Sequence, residues 1–342
     1  MGIQKRKAEH LNIAIKKKIE HTETAGFEDV VLEYDALPEL NLSEINLKTR
    51  FLGRNFEAPL MVSAITGGTK EAQRLNKLIA LSCEHFGIGF GLGSQRAMLE
   101  HKNLKSTFYV RDVAPNIFLA ANIGVAQLSE YAPEKIAEMV DKIEADALAI
   151  HLNALQEAVQ PEGDKDFEKA LENIQKICKQ MKKPVYVKEV GHGISHKTAL
   201  KLNKLPIKAI DVQGSGGTSW AAIEQFRGSK TANHYWNFGI PTIASILCCK
   251  KVSGKPIIAS GGIRHGLDSV KSLVLGSDLT GIALPVLQAA AKGPKNLHNY
   301  LDNFLEEMRI GFLLTGSKNL TELRKTKYAI VGRTKEIVDK LT

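Results

Sequence analysis

Five polar side chains fall within one short stretch, His151, Asn153, Gln156, Glu157 and Gln160, and Pro161-Glu162-Gly163-Asp164 follows directly. Before them runs Ala147 to Ile150, an apolar segment that reads as a buried strand. His151 and Asn153 are two apart, so on an extended chain they point to one side. An imidazole, amides and a carboxylate gathered at a strand end suit a site that grips a polar ligand and, through the carboxylate, a cation. The alternative is a solvated loop between strand and helix, and this segment by itself leaves both open.

Other chemistry-bearing residues follow the same placement. Gly214-Ser215-Gly216-Gly217-Thr218 and Ser260-Gly261-Gly262-Ile263-Arg264 are glycine-rich turns that can aim several N–H groups at one anion, with Arg264 as an added donor. Read plainly, they are tight turns. Lys188 ends Val185-Tyr186-Val187, where a buried ammonium needs a partner. It suits a Schiff base or an anionic cofactor ring, and its position does not choose between them. Arg6, Lys7 and His10 form a basic terminal cluster. A solvated terminus, an amphipathic membrane helix weakened by Glu9, Glu20 and Glu23, and an arm closing over an anionic substrate all remain open. The cysteines Cys83, Cys178, Cys248 and Cys249 fall in helical patterns away from strand ends, which argues against a catalytic thiolate.

The elements that would position these residues alternate. Strand candidates are Pro59–Ile65, Gly87–Leu92, Ile117–Ile123, Ala147–Asn153, Pro184–Val190, Ala209–Gln213, Pro256–Ser260 and Leu279–Leu284. Helical patterns lie between them, among them Glu71–His85, Pro133–Glu144, Phe167–Gln180, Ser195–Leu205 and Ser269–Leu275. Eight such units predict an α/β fold, a closed (β/α)8 barrel, with extra helices in the long interval between strands six and seven. The polar motifs sit at the C-terminal ends of those strands, where barrels carry active sites. No linker divides the chain. One domain over 1–342 is expected, with an N-terminal arm over 1–50 and the barrel over 51–342.

Composition narrows the class. The chain has 342 residues, is 44% apolar and carries a net charge of +9 from 46 basic and 37 acidic residues. Nucleic-acid binding lacks a basic–aromatic or zinc-finger pattern, and no apolar run reaches the ~20 residues of a membrane span. Without a signal sequence or a C-x-x-C pair, the four thiols read as reduced and the protein as cytoplasmic.

Taken together, the motifs resemble the type 2, flavin-dependent isopentenyl-diphosphate isomerases. The matching segments are Arg6-Lys7…His10, Thr66-Gly67-Gly68, Gly91-Leu92-Gly93-Ser94-Gln95-Arg96 and Ala121-Asn122-Ile123-Gly124. They continue through His151-Leu152-Asn153…Gln156-Glu157…Gln160-Pro161-Glu162-Gly163-Asp164, Lys188-Glu189-Val190-Gly191 and Asp211-Val212…Gly216-Gly217-Thr218. Ser260 to Arg264 with Gly266 and Asp268, and Ala283-Leu284-Pro285, complete the series. The chain departs at Ile65, where the family often has methionine, and at Gln213, where it often has a small residue, frequently serine, against the flavin.

The resemblance implies an isomerase of isoprenoid biosynthesis that interconverts isopentenyl and dimethylallyl diphosphate by a 1,3-allylic proton shift. It implies FMN kept reduced with NADPH as reductant, Mg2+, and a homotetramer or homo-octamer. Catalytic roles then fall to Gln156, Glu157 and Lys188, with Glu157 also the metal ligand. The diphosphate substrate would meet Arg6, Lys7, His10, Ser94, Gln95, Arg96, His151, Asn153 and Gln156. FMN would contact Ala64, Ile65, Thr66, Ser94, Asn122, Lys188, Thr218, Gly262, Ile263, Arg264, Ala283 and Leu284. Two other readings fit the phosphate turns: an FMN-dependent barrel oxidoreductase, and a flavin- or phosphate-binding protein without activity. The first calls for a catalytic histidine before the late-strand arginine or a loop cysteine. Here His265 follows Arg264.

Overall fold

A computed structural model describes residues 2–342. Eight parallel strands close into a barrel. They are β1 (Leu60–Val62), β2 (Gly89–Gly91), β3 (Leu119–Gly124), β4 (Ala147–His151), β5 (Val185–Lys188), β6 (Ile210–Asp211), β7 (Ile257–Ser260) and β8 (Leu279–Ile282). Neighbours in sequence pair around the ring, and β8 closes on β1 through Thr280↔Leu60 and Ile282↔Val62. Every barrel strand is buried on both faces, because helices cover the outside and side chains fill the inside. This is why the strands read as apolar runs without alternation.

All eight expected strands are present, each shorter than its apolar run. The largest change is at β6, which ends at Asp211. Gln213, expected inside that strand, has φ 37 and belongs to the turn beyond it. The chain likewise leaves the strand after His151, and Leu284 starts a helix rather than ending β8.

The barrel interior holds small residues beside large ones: Ala120, Ala147, Ala149 and Ala209 make room for Met61, Tyr186, Ile258 and Leu279. The hairpin Thr49–Phe51/Arg54–Phe56 joins this cluster with Phe51 and Phe56. Both pack edge-on or tilted against each other and Phe118, with centroids 5.5–6.4 Å apart. One end of the barrel is thus apolar and filled, which leaves the C-terminal end for chemistry.

Around that end lie α1 (Ile3–Lys16), α2 (Ala154–Val159), α3 (Trp220–Phe226), α4 (Thr242–Lys250), α5 (Gly266–Val274) and α6 (Leu284–Lys292). The interval between β6 and β7 holds α3, a 3-10 turn at Ala232–Tyr235, and α4. The first fifty residues divide. Helix α1 lines the open end of the barrel. Farther on, Val30–Leu32 pairs antiparallel with Tyr328–Ile330 near the C-terminus, and Lys271 Nζ donates to Phe27 O at 2.8 Å. No helix among the described residues is long and apolar enough to cross a membrane.

Candidate active site

A large cavity opens at the C-terminal ends of the strands, about 1530 Å³ including its open mouth. Every site residue expected from sequence lines this cavity except Gln95. Gln95 is fully buried behind the wall, where its Oε1 accepts from Asn122 N at 2.6 Å and its Nε2 donates to Gly93 O at 2.8 Å.

The His151–Asp164 segment is built around Glu157. After β4 the chain turns at Asn153 into α2, which places Gln156 and Glu157 in its first turn, where a carboxylate is favoured by the helix dipole. Glu157 Oε1 accepts from Asn153 Nδ2 at 2.9 Å, and Oε2 accepts from Asp164 N at 2.8 Å. Gly163 lies against the Glu157 carbonyl: a Cβ there would sit 2.0 Å from that oxygen. The Glu-Gly-Asp spacing therefore returns the chain to the carboxylate and fixes it. Glu162 points elsewhere, to Arg227 just beyond the end of α3.

Lys188 is buried, and its Nζ donates to Glu189 O at 2.7 Å. In register beside it on β6 is Asp211, also buried, whose carboxylate accepts from Ser260 Oγ and from Gln213 Nε2 (3.2 Å). Burial pulls the Lys188 ammonium down and the Asp211 carboxyl up, and each charge opposes the other's shift. Gln213 thus lines the cavity while tied to this pair. His151, in register on the other side of Lys188, is held neutral: burial first, then Lys188 and Lys7, bring its pKa to about 3.

The basic cluster is docked. His10 Nε2 bonds Glu224 Oε1 at 3.0 Å, and its ring meets Trp220 edge-on at 5.3 Å. Arg227 joins Glu9, Glu162 and Glu224. Gln160 sits between Arg6 Nη1 and Glu224 Oε1, 3.2 Å from each, with its amide oxygen toward the arginine. Lys7 is half-buried overall, but its ammonium end turns inward, donating to Ser94 O at 2.6 Å and lying 5.2 Å from the Phe108 ring centre. No carboxylate pairs with it among the described residues. Burial, and then Arg6 beside it, lowers its pKa to about 7, against a smaller upward pull from Glu100.

That shift sets a pH dependence. A bound polyanion favours the charged ammonium, so above about pH 7 the free site must take up a proton to bind. Affinity for inorganic diphosphate should fall as pH rises from 7 toward 9, by at most about tenfold per unit for one proton. Calorimetric titration across this range checks it, and Lys7→Met should flatten the slope.

The glycine-rich turns lie back to back. A Cβ on Gly262 would meet Ala25 Cβ at 2.7 Å, and one on Gly216 would meet Ala25 N at 2.2 Å, so part of their need for glycine is the arm packed on them. The amides of Gly262 and Ile263 make no hydrogen bond to protein among the described residues. They line the same cavity as the N-terminus of α6 at Ala283 and Leu284, and both kinds of group suit an anion. Arg264 lines the cavity but already holds Glu20 through Nε (3.1 Å) and Nη2 (2.6 Å). Ser63 Oγ, Gln127 Nε2 and Asn153 Oδ1 are buried at the cavity without a protein partner, as expected where a polar ligand belongs.

Trp220, Ile223 and Glu224 escaped the sequence reading. Their spacing puts them on one face of a helix that follows a glycine-rich turn, which is the available signal. The four thiols are free, lie in helices and are pushed up by burial.

Comparison with known proteins decides the family. A protein of Methanococcoides burtonii named isopentenyl-diphosphate delta-isomerase is 43% identical, over 99% of this chain and 96% of its own. The chain belongs to the isopentenyl-diphosphate delta-isomerase family. Pyrococcus furiosus has a relative of the same name at 41% identity, covering 97% of this chain and 88% of that protein. Residues 113–330 match the model of the FMN-dependent dehydrogenases. A mandelate oxidase variant with a monooxide FMN adduct shares the fold, with a TM-score of 0.63 at 14% identity over 96% of this chain and 93% of that one.

Proposed function

We propose that this protein interconverts isopentenyl and dimethylallyl diphosphate by a 1,3-allylic proton shift, with FMN kept reduced and Mg2+ bound. The observation that carries this reading is one cavity lined together by Arg6, Lys7, the fixed Glu157 carboxylate and the buried Lys188.

The donor set fits FMN. Its phosphate would rest on the amides of Gly262 and Ile263, the Thr218 hydroxyl and the N-terminus at Ala283 and Leu284, with Arg264 shared with Glu20. Its ring would lie against Ala64, Ile65, Thr66, Ser94 and Asn122, with Lys188 favouring negative charge on it. When bound and reduced, FMN supplies an electron-rich ring that favours positive charge on the substrate and an edge that exchanges protons. Glu157 suits Mg2+: no cluster of three ligating side chains exists among the described residues, and Mg2+ commonly takes one carboxylate with phosphate oxygens and waters. Arg6, Lys7, His10, Ser94, Arg96, His151 and Asn153 would bind the diphosphate, and Gln156 would orient the hydrocarbon end. Helix α1 excludes water above it. NADPH as reductant, a homotetramer or homo-octamer and a cytoplasmic location complete the reading.

The oxidoreductase alternative is disfavoured because His265 is exposed and outside the cavity. Anaerobic incubation with isopentenyl diphosphate, Mg2+ and pre-reduced FMN should yield dimethylallyl diphosphate without consuming NADPH stoichiometrically. No product under these conditions ends the proposal.

The released flavin should be FMN, not FAD, since there is one phosphate cradle and no separate dinucleotide motif. Chromatography after denaturation checks this. Recovery of FAD would reject the assignment.

A further inference from the structure

We propose that Asn122, held by Gln95, fixes His151 as the tautomer protonated on Nδ1, so that anion binding at this histidine requires a proton from solution. The tautomer follows from geometry alone. Its coupling to an anion rests on the diphosphate reading above.

The chain of bonds begins outside the cavity. Gln95 brackets Asn122: its backbone N donates to Asn122 O at 2.8 Å, and its Oε1 accepts from Asn122 N at 2.6 Å. Gln95 Nε2 is committed to Gly93 O at 2.8 Å, so the amide cannot turn over without losing both bonds. Asn122 Nδ2 in turn donates to Leu92 O at 3.0 Å. A carbonyl oxygen only accepts, so the NH2 group must face Leu92 and Oδ1 must face the other way. There it lies 2.7 Å from His151 Nδ1. Oδ1 can only accept, so Nδ1 carries the hydrogen. A neutral imidazole has one N–H, which leaves a lone pair on Nε2.

The surroundings keep the ring in that state. Lys188 from β5 and Lys7 from α1 are the cations bearing on it, and both disfavour a second proton. Near its own strand end, the carboxylate of Glu157 is occupied by Asn153 Nδ2 and Asp164 N. From β3 and the 3-10 turn after it, the neutral Asn122 and Gln127 join it at the cavity wall. In this form His151 offers the cavity an acceptor. A fully ionised phosphate oxygen is also an acceptor, so the two cannot bond directly. A direct bond to the ionised phosphate therefore needs one further proton, which His151 takes from solution on Nε2. With two cations close by, the incoming negative charge is what makes protonation of the ring favourable. Gln95 and Asn122 are then positioning residues, acting through the histidine.

The test is nitrogen NMR of the flavin-loaded protein with 15N-labelled histidine, His151 being assigned by its loss in His151→Gln. Between about pH 6 and 9, Nδ1 should show the protonated shift and Nε2 the lone-pair shift. A dominant Nε2–H form, or a mixture, overturns the tautomer assignment without any variant being needed. Asn122→Leu should release the ring to a mixture, and Asn122→Asp, which keeps an acceptor, should restore Nδ1–H. Should Asn122→Leu fail to fold, Gln95→Leu, outside the cavity, should give a partial shift. A tautomer unchanged when the Asn122 acceptor is removed refutes the positioning role. Inorganic diphosphate with Mg2+ is then added. Movement of Nε2 toward the doubly protonated shift supports the coupling, and a bound diphosphate with Nε2 still bare overturns it. No binding at all would instead count against the diphosphate reading and leave the tautomer assignment standing.

Discussion

Glu157→Gln is expected to reduce turnover by at least about 10²–10³-fold while FMN stays bound, because one preorganised electrostatic contact is often worth that much. The substitution keeps the shape and removes the charge that would anchor Mg2+. It also introduces an NH2 group where both carboxylate oxygens now accept, one from Asn153 Nδ2 and one from Asp164 N. One of those donors would then face another donor, so the loop at Gly163-Asp164 should loosen as well. Turnover against Mg2+ concentration separates the two effects. If metal anchoring dominates, the Mg2+ requirement rises steeply and flavin content is unchanged. Near-normal turnover with an unaltered Mg2+ dependence would remove Glu157 from the metal site.

The second large effect is expected from Arg6→Ala combined with Lys7→Ala. KM should rise strongly and kcat should fall as well, because α1 both supplies cations and covers the cavity. Stability should hold. Lys7 is a cation turned inward without a carboxylate partner, so its loss removes a desolvation cost rather than an ion pair. Docking of α1 depends on other groups: Leu11, the His10–Glu224 bond and the Glu9–Arg227 pair. Melting temperature and FMN affinity should therefore hardly move. Added salt should weaken substrate binding more in the wild type than in the variant, which has fewer charges to screen. Loss of flavin or unfolding in the double variant would mean that the cluster serves the fold. An unchanged KM would mean that it does not touch substrate.

The chain's sequence by itself carried the barrel and most of the cavity wall. Fully buried parallel strands leave continuous apolar runs, and barrels gather function at one end of those runs, so order and placement were both legible in one dimension. His151, Glu157, Lys188 and the glycine-rich turns each sit at such an end. What sequence could not show was partnership between distant segments. Gln95 stands in a motif beside Ser94 and Arg96, yet its amide turns away from the cavity to brace Asn122. Arg264 looked like a spare donor until Glu20, 244 positions earlier, was found on its guanidinium. Gly216 and Gly262 looked like phosphate turns alone, and Ala25 fills the space their missing side chains leave. For Arg264 and the glycines the deciding neighbour is brought in by the arm that runs back over the late strands, and for Gln95 by the pairing of β2 with β3. Local spacing fixes which way a side chain leaves its own strand or helix. Only the packed structure decides what it meets there.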